Sequence, residues 1–219
     1  MIHLSKRLSS IYNLTPKGIA IDVGADHGQL IISLVENGVA HHGYAVENKK
    51  GPYERMVKAI NASKVKDKII PIFSSGIHEM PKEVETVIIA GMGGNTIVNI
   101  LKDDIEKLNG VKTILIDSHG AFSFVRQEII NMGFIIDDED ILVEDDIYYE
   151  IMRFKRGSLT YSEDDYFFGP VLLKKKSNIF KEKWMKRLDE INSLLCKSDI
   201  PTQRKDELLM EKERIMRVL

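Results

Sequence analysis

The chain has 219 residues, of which 43% are hydrophobic and 29% charged, and its formal net charge is −2. This composition excludes an intrinsically disordered chain, a collagen-like repeat and a small scaffold held together by disulfides. There is one cysteine, Cys196, and no apolar run approaches the ~20 residues that a membrane helix needs. The sequence therefore predicts a cytoplasmic protein that is not inserted in a membrane.

Short apolar strands alternate with helices along the first two-thirds of the chain. Strands are predicted at Gly18–Val23, Gly43–Val46, Ile69–Phe73, Thr86–Ala90 and Thr113–Ile116, and then at Phe134–Ile136, Ile141–Val143 and Tyr148–Phe154. Helices are predicted from Gly28 to Asn37, from Gly51 to about Ala62, from about Asn95 to Leu108 and from Ser123 to Met132. Apolar strands that alternate with helices form parallel sheets covered on both faces, so the predicted fold is a doubly wound α/β sheet. An acidic turn at Glu144–Asp146 predicts an antiparallel hairpin at one edge.

The C-terminal part has a different pattern. From Val171 onward there is one proline and no glycine, and apolar residues recur at helical spacing from Leu172 to Leu195. A predicted turn at Asp199-Ile200-Pro201 separates this stretch from a second helix, which begins at about Thr202. Two helices with a short connection favour an antiparallel hairpin, whose apolar stripe packs on itself, on the main domain or on a partner. We expect one domain at 1–157 and a helical hairpin at 158–219.

Charge is divided between these two parts. Residues 1–170 contain 18 basic and 25 acidic side chains, whereas residues 171–219 contain 13 basic and 8 acidic ones. The near-neutral total argues against a nucleic-acid partner, but the basic C-terminal part is suited to one.

A glycine loop, Asp22-Val23-Gly24-Ala25-Asp26-His27-Gly28, follows the first predicted strand. Glycines there let a ligand approach the backbone, and the next helix offers free N–H groups. The carboxylates would repel a pyrophosphate and attract a cationic or amine-bearing ligand. Glu47, at the end of the second strand, has the offset of a carboxylate that accepts both ribose hydroxyls. Together these features predict an adenosyl-type ligand; a steric turn and a solvated Glu47 are the alternatives.

A second glycine cluster, Gly91-Met92-Gly93-Gly94, ends the fourth predicted strand. Close approach of a ligand at the carboxyl edge of the sheet explains three glycines in four positions. The alternative is a tight turn between strand and helix.

The chain resembles the TrmK family, bacterial methyltransferases that act on N1 of adenine 22 in tRNA. The resemblance is carried, in order, by Leu4–Leu8, Asp22–His27, Gly51-Pro52, Ile89–Gly94, Tyr149-Glu150-Ile151, Phe168-Gly169-Pro170, Asn178, Phe180 and Trp184. It implies a class I methyltransferase domain with a Rossmann-like, mostly parallel seven-stranded sheet, and a C-terminal coiled-coil hairpin. It also implies S-adenosylmethionine as methyl donor and tRNA as substrate.

The resemblance also implies roles for individual residues. The residues implied for the cofactor are Asp22, Gly24, Ala25, Asp26, Gly28, Glu47, Ser75, Gly76, Ala90, Gly91 and Met92. The residues implied for catalysis are Asp26, His27 and Asp117. The residues implied for the substrate are Arg7, Gly93, Gly94, His119, Lys174, Lys175 and Lys176. The bland alternatives are that Asp26 caps the following helix, that His27 is an ordinary turn residue and that Arg7 is a solvated charge.

Three segments depart from the family pattern: Gly28–Ile31, Ser74-Ser75-Gly76 and Asp117-Ser118-His119. They leave open a methyltransferase of the same fold with a shifted RNA target, and a non-enzymatic RNA-binding relative. A Rossmann oxidoreductase is disfavoured, because the glycine loop lacks the central glycine of that fingerprint.

The expected chemistry needs no base, because N1 of adenine is a neutral nitrogen with an available lone pair. Transfer then depends on alignment and on the field around the developing cation. We expect negative potential from Asp26 and Asp117, and orientation of an outward-turned base by His27 or His119. Lys174–Lys176, together with Lys181, Lys183, Lys186 and Arg187, would form a positive surface for phosphates, unless they are a solvated face. We expect no metal and favour a monomer.

Overall fold

The computed structural model describes residues 3–197 and 200–219, so the predicted turn residue Asp199 lies outside the described residues. One sheet contains the strands β1 (Gly18–Val23), β2 (Ala40–Glu47), β3 (Ile69–Phe73), β4 (Thr86–Met92), β5 (Thr113–Ser118), β6 (Phe134–Glu144) and β7 (Ile147–Arg156). The helices are α1 (Lys6–Leu14), α2 (Gln29–Glu36), α3 (Lys50–Ala62), α4 (Gly94–Asp103), α5 (Phe122–Asn131), α6 (Glu163–Phe168), α7 (Pro170–Lys175), α8 (Asn178–Leu195) and α9 (Thr202–Val218).

The sheet has the strand order β3-β2-β1-β4-β5-β7-β6. Strands β1 to β5 are parallel, and β7 runs antiparallel to both β5 and β6. Helices α1, α2 and α3 pack on one face through residues such as Ile11, Ile31 and Met56, and α4 and α5 cover the other through Ile97 and Val125. The predicted α/β class with a mostly parallel sheet is therefore confirmed.

The acidic segment before the hairpin was predicted as two strands, and this is wrong. A single strand, β6, runs from Phe134 to Glu144, with an irregularity in register between Ile136 and Asp138. Its carboxylates are paired across the sheet: Asp137 accepts from Arg153 at 2.8 Å and from Lys155 at 2.6 Å. Because these charges have partners, the strand continues through them. The predicted antiparallel hairpin is confirmed.

The helix predicted from Asn95 to Leu108 is also shorter than expected. Helix α4 ends at Asp103, and a 3₁₀ turn follows over Ile105–Gly110. The side chain of Asp104 lies 3.1 Å from Nδ1 of His78, so it is used by a neighbouring turn. Aspartates are weak helix formers, and two of them in sequence end α4.

The C-terminal part contains four described helices where two were predicted. Gly169 has φ +85° between α6 and α7, and Lys176 has φ +41° where α7 ends. Ser177 then caps α8 by accepting from the N–H of Phe180. These conformations end each short helix, because a helix cannot continue through a positive φ.

Helices α8 and α9 pair, and their apolar stripe packs on itself and on the sheet. Phe168, Trp184, Ile191 and Ile215 share one core with Ile141 of β6. Arg187 of α8 pairs with Glu211 at 2.7 Å, and Arg214 near the end of α9 reaches Asp164 of α6 at 3.3 Å. The coiled-coil geometry of this pair stays a prediction. Within the described ranges, no helix is long and apolar enough to span a membrane.

Candidate active site

A cavity at the carboxyl edge of the sheet lies where the strand order reverses. Strand β1 is followed by β2 on one side, and β4 lies on the other. A crevice at such a point is the usual ligand site of an open α/β sheet. The cavity has a volume of about 540 Å³. Its lining includes Gly24, Asp26, Glu47, Asn48, Lys49, Pro52, Ser75, Gly76, Ala90, Gly91, Met92 and Thr96.

Two glycines bring the backbone into this cavity. Gly24 has φ +77°, and a Cβ there would lie 2.3 Å from Cε of Met92. Gly91 has φ +74°, and a Cβ there would lie 3.1 Å from the guanidinium of Arg7. Both positions therefore need glycine for conformation, and a larger residue would also fill the space beside the loop.

Glu47 stands at the end of β2 with 8% of its surface exposed. Its Oε1 accepts hydrogen bonds from the backbone N–H groups of Asn48 and Lys49, both at 2.9 Å. These donors fix the carboxylate in the cavity wall, which argues against the solvated alternative. Ser75 and Gly76 line the same cavity from the segment after β3.

A smaller cavity of about 310 Å³ adjoins the first and shares Gly24, Asp26 and Ala90 with it. Asp22 and Arg7 line this second space, together with Ala25, His27 and Gln29. Asp22 is 5% exposed, and burial raises the pKa of its carboxyl to about 7, while the nearby Arg7 guanidinium lowers it. A carboxyl and a guanidinium therefore face one small cavity.

Arg7 lines the smaller cavity and is not a solvated charge. Its Nη1 donates to Oδ2 of Asp117 at 2.5 Å, and its guanidinium lies 5.6 Å from the ring centre of Tyr149. The Asp117 side chain is fully buried, so it contacts no ligand except through Arg7. The backbone N–H groups of Lys6 and Arg7 donate to Glu144 at the start of α1, which fixes the helix that carries Arg7.

Asp26 lines both cavities and His27 lines the smaller one, and both side chains are about half exposed. Asp26 has φ +44°, and its carboxylate lies 3.5 Å from Nε2 of His27 and 3.4 Å from Arg55. Asp26 does not cap α2, because the N-cap residue is Gly28 and no side chain bonds there. The capping alternative is therefore wrong.

Three further predicted residues, His119, Gly93 and Gly94, lie at the carboxyl ends of β4 and β5. His119 is exposed, and its backbone N–H donates to the carbonyl of Met92 at 2.8 Å, which holds the loop after β5 beside β4. Gly94 is buried, and a Cβ there would lie 2.8 Å from Val125 and 2.9 Å from Ala121. Gly94 thus serves packing between α4 and α5, whereas Gly93 is exposed at the start of α4.

The predicted phosphate surface is only partly free. Lys175 pairs with Asp138 at 2.8 Å, Arg187 pairs with Glu211, and Lys183 is an ion-pair partner of the buried Glu150. By contrast, Lys174 and Lys176 are exposed and form no salt bridge with any residue that the structure describes.

A buried charge cluster was missed by the sequence reasoning. Arg126 of α5 is 0% exposed and binds Glu139 at 2.8 Å and Glu150 at 2.6 Å. Gly169 closes over it, since a Cβ there would lie 2.5 Å from Glu139. Two motifs of the family resemblance, Tyr149–Ile151 and Phe168–Pro170, contain residues of this cluster. They were the signal in the sequence that could have indicated it. Among the described residues, no group of three or more His, Cys, Asp or Glu side chains could hold a metal ion.

Comparison with known proteins identifies the family to which this chain belongs. The family model "TrmK: tRNA (adenine(22)-N(1))-methyltransferase" matches residues 20–218. The tRNA (adenine(22)-N(1))-methyltransferase of Bacillus subtilis is 28% identical over 201 residues, which are 88% of this chain and 84% of that protein.

Solved structures agree over the full length. A Streptococcus pneumoniae protein crystallised in complex with S-adenosyl-L-methionine superposes with a TM-score of 0.92 at 32% identity, over 99% of this chain and 100% of that one. The M1A22 tRNA methyltransferase TrmK of B. subtilis superposes with a TM-score of 0.90 at 27% identity, over 100% of this chain and 99% of that one. Since the family model covers most of the sequence, the chain belongs to the TrmK family of tRNA (adenine(22)-N(1))-methyltransferases.

Proposed function

We propose that this chain transfers the methyl group of S-adenosylmethionine to N1 of adenine 22 in tRNA. The observation that carries the proposal is the cavity at the switch point of the sheet, in which Gly24, Glu47 and Gly91 meet in a chain of the TrmK family. The cavity supports the cofactor, and the family supports the target.

The residues of the two adjoining cavities fit this cofactor. Gly24 and Gly91 line the larger cavity without side chains, and the fixed carboxylate of Glu47 suits a ribose with two hydroxyls. When bound, S-adenosylmethionine supplies an electrophilic methyl group on a positively charged sulfur. We assign its binding to Asp22, Gly24, Ala25, Asp26, Glu47, Ser75, Gly76, Ala90, Gly91 and Met92. Gly28 lines neither cavity and packs at the start of α2.

The smaller cavity matches an amino-acid end group. Asp22 offers a carboxyl and Arg7 a guanidinium on the same small space, which complements an ammonium and a carboxylate. Arg7 was assigned to the substrate from sequence; its contact with Asp117 and its place beside Gly91 put it equally within reach of the cofactor site.

Catalysis depends on charge and alignment in this arrangement. Asp26 lines both cavities and His27 lines the smaller one, and from there they would face the incoming base and stabilise its developing positive charge. Asp117 is buried and would act through Arg7, as a positioning residue. His119 and Gly93 flank the opening on the side of β4 and β5 and would contact the turned-out nucleotide.

The tRNA would lie across this edge and along the basic helices. Lys174 and Lys176 are exposed and available for phosphates, whereas Lys175 is partly engaged by Asp138. We further propose the division into a catalytic domain at 1–157 and a helical domain at 158–219, and a cytoplasmic monomer that needs no metal.

Calorimetry with S-adenosylmethionine tests the cofactor site. We expect saturable binding by the wild type and at least tenfold weaker binding by Glu47→Gln, because a hydrogen bond to a charged acceptor is worth about 1.5–3 kcal/mol. The matched control is Glu54→Gln, an exposed residue of α3, which should bind like the wild type. Absence of binding by the wild type would favour a non-enzymatic relative and contradict the proposal.

A further inference from the structure

One lysine of the basic helices points inward and not toward solvent. The side chain of Lys183, on α8, is 15% exposed and forms an ion pair with Glu150, which is 1% exposed. Its Nζ lies 4.6 Å from the ring centre of Phe122 and 4.9 Å from that of Trp184. A lysine held by a carboxylate and two aromatic rings is not available to a phosphate, in contrast to the exposed Lys174 and Lys176.

Phe122 directly follows a loop that contacts the wall of the larger cavity, through the bond from His119 to Met92. Phe122 is the first residue of α5 and directly follows Ser118–Ala121, the segment that carries His119. At its other end this segment is held by the bond from the N–H of His119 to the carbonyl of Met92. Ala121 has φ +53°, so the chain turns sharply just before Phe122. Lys183 therefore contacts the residue that follows this loop, and the loop begins at the end of β5, directly after Asp117.

Glu150 connects the same lysine to the other side of the sheet. Its neighbour in β7, Tyr149, points to the opposite face and contacts Arg7, and Ile151 pairs with Asp117 of β5. Glu150 also binds Arg126, which is shared with Glu139. Arg126 and Lys183 thus balance two buried carboxylates, and loss of Lys183 would leave Glu150 with a shared partner only.

We propose that Lys183 is a positioning residue for methyl transfer: it joins the RNA-binding helices to the active-site loop through Phe122 and to β7 through Glu150. The inference rests on the proposed function. On this proposal Lys183 affects the rate of methyl transfer. The exposed lysines, by contrast, would affect the affinity for tRNA. The contacts of Lys183 therefore connect the helices that we propose to bind RNA with the loop that precedes Phe122.

The test is the rate of methyl transfer to a tRNA transcript at saturating tRNA and S-adenosylmethionine, with the KM for tRNA measured in parallel. The variant Lys183→Met keeps the aliphatic length and removes the charge. We expect kcat to fall about tenfold or more, because a small misplacement of reacting groups is that costly, while KM for tRNA changes less than about twofold. The variant Lys183→Arg should recover most of the lost rate.

Two further variants separate positioning from other roles. Because Lys183 acts through Glu150, the double variant Lys183→Met/Glu150→Gln should be no slower than Lys183→Met alone. Phe122→Leu removes the contact on the loop side and leaves the ion pair, so it should also lower kcat. Lys66→Met makes the same substitution at an exposed site at the opposite edge of the sheet and should match the wild type.

Several outcomes would overturn the inference. If the wild type is active and Lys183→Met has the same kcat, the inference about Lys183 is overturned and the proposed function is unaffected. A change in KM alone shows a direct phosphate contact instead, and a double variant that is slower than Lys183→Met shows that Lys183 does not act through Glu150. If Lys183→Met does not fold at the assay temperature, Phe122→Leu decides, and a wild-type kcat there overturns the inference. A wild type that transfers no methyl group removes the proposed function and the inference with it.

Discussion

Asp22 is a buried carboxyl of the candidate site. Burial raises its pKa to about 7, and Arg7 only partly opposes this. In the free protein the group is therefore largely protonated below pH 7. An ammonium ligand in the adjoining cavity would bind its ionised form in preference.

This pKa predicts how cofactor affinity depends on pH. If Asp22 binds the ammonium of S-adenosylmethionine, affinity should rise about fivefold from pH 6 to pH 7, with release of a proton on binding. Calorimetry in two buffers of different ionisation enthalpy measures both quantities. The variant Asp22→Asn should lose the dependence; a dependence that survives this substitution would exclude Asp22 as its source.

The same carboxyl affects folding in the opposite sense to a salt-bridged aspartate. Its pKa in the folded protein lies above the unfolded value of 3.8, so the native state holds a proton that the unfolded state has lost. The free energy of unfolding should therefore decrease as pH rises from about 4 to 7 through this group. The matched comparison is Asp22→Asn, whose unfolding energy should lack this component in urea titrations.

Asp26 has a role that its surroundings make testable. It lines both cavities, and it is exposed and paired loosely with Arg55. Because its charge would stabilise the developing cation, Asp26→Asn should lower kcat about 100-fold while the affinity for S-adenosylmethionine changes little. Arg55→Gln, which removes only the exposed partner, should retain most of the rate. Unchanged turnover in Asp26→Asn would take this residue out of the mechanism.

At the scale of elements, the basic helices divide into inward and outward cations. Lys175, Lys183 and Arg187 have acidic partners within the molecule, and Lys174, Lys176 and Lys181 are exposed. The sequence treats all of them alike, because the partners Asp138, Glu150 and Glu211 are distant along the chain. Only the outward group is expected to carry the salt-dependent part of tRNA binding.

Charge reversal tests this division. Replacement of Lys174, Lys176 and Lys181 by glutamate should weaken tRNA binding and reduce the slope of log K against log salt by about 3. The matched control reverses Lys64, Lys66 and Lys68, which are exposed before β3 at the opposite edge of the sheet. Filter binding over a range of salt concentrations measures both variants. Equal losses in the two would contradict a phosphate surface on α7 and α8.

The hairpin at the sheet edge provides a prediction on stability. Asp145 and Asp146 both have positive φ, at 50° and 61°, as a two-residue turn between twisted strands requires. Asp146→Gly should raise the free energy of unfolding by about 0.5–1 kcal/mol, because glycine adopts this conformation without strain. Lys58→Gly, at an exposed position in the interior of α3, should lower it by a similar amount. Urea unfolding of both variants checks the signs, and a loss in Asp146→Gly would contradict the turn geometry.

For the whole molecule, the apolar strands could be predicted from the sequence, and the charged contacts could not. Strand β1 has the predicted limits, because Gly18–Val23 is a short and mostly apolar run in which Asp22 is the one charged residue. The sequence predicts two strands in place of β6, because the acidic run Asp137–Asp140 is typical of a loop. In the structure Arg153 and Lys155 of the neighbouring strand pair with this run. The spacing of the glycine loop and Glu47 predicts their place in the site. The position of the Arg7 side chain could not be predicted, because it depends on a contact with Asp117, 110 positions away along the chain.

Segregated charge organises the protein as a whole. The net charge of −2 combines an acidic sheet domain, whose edge carries Asp22, Asp26 and Glu47, with a basic helical part. The former suits a cationic cofactor and the latter suits RNA. Arg126, Glu139, Glu150 and Lys183 join the two parts through a buried cluster, so the helices that would bind tRNA are attached to the active-site edge.

Nucleoside mapping of a methylated tRNA tests the central claim most directly. The wild-type chain is incubated with S-adenosylmethionine and an unmodified transcript that has adenine at position 22, and the modified nucleoside and its position are then determined. We predict N1-methyladenosine at position 22 and no methylation of a transcript in which that adenine is replaced by guanine. Methylation at another position or atom, or none with a folded wild-type protein, would contradict the account.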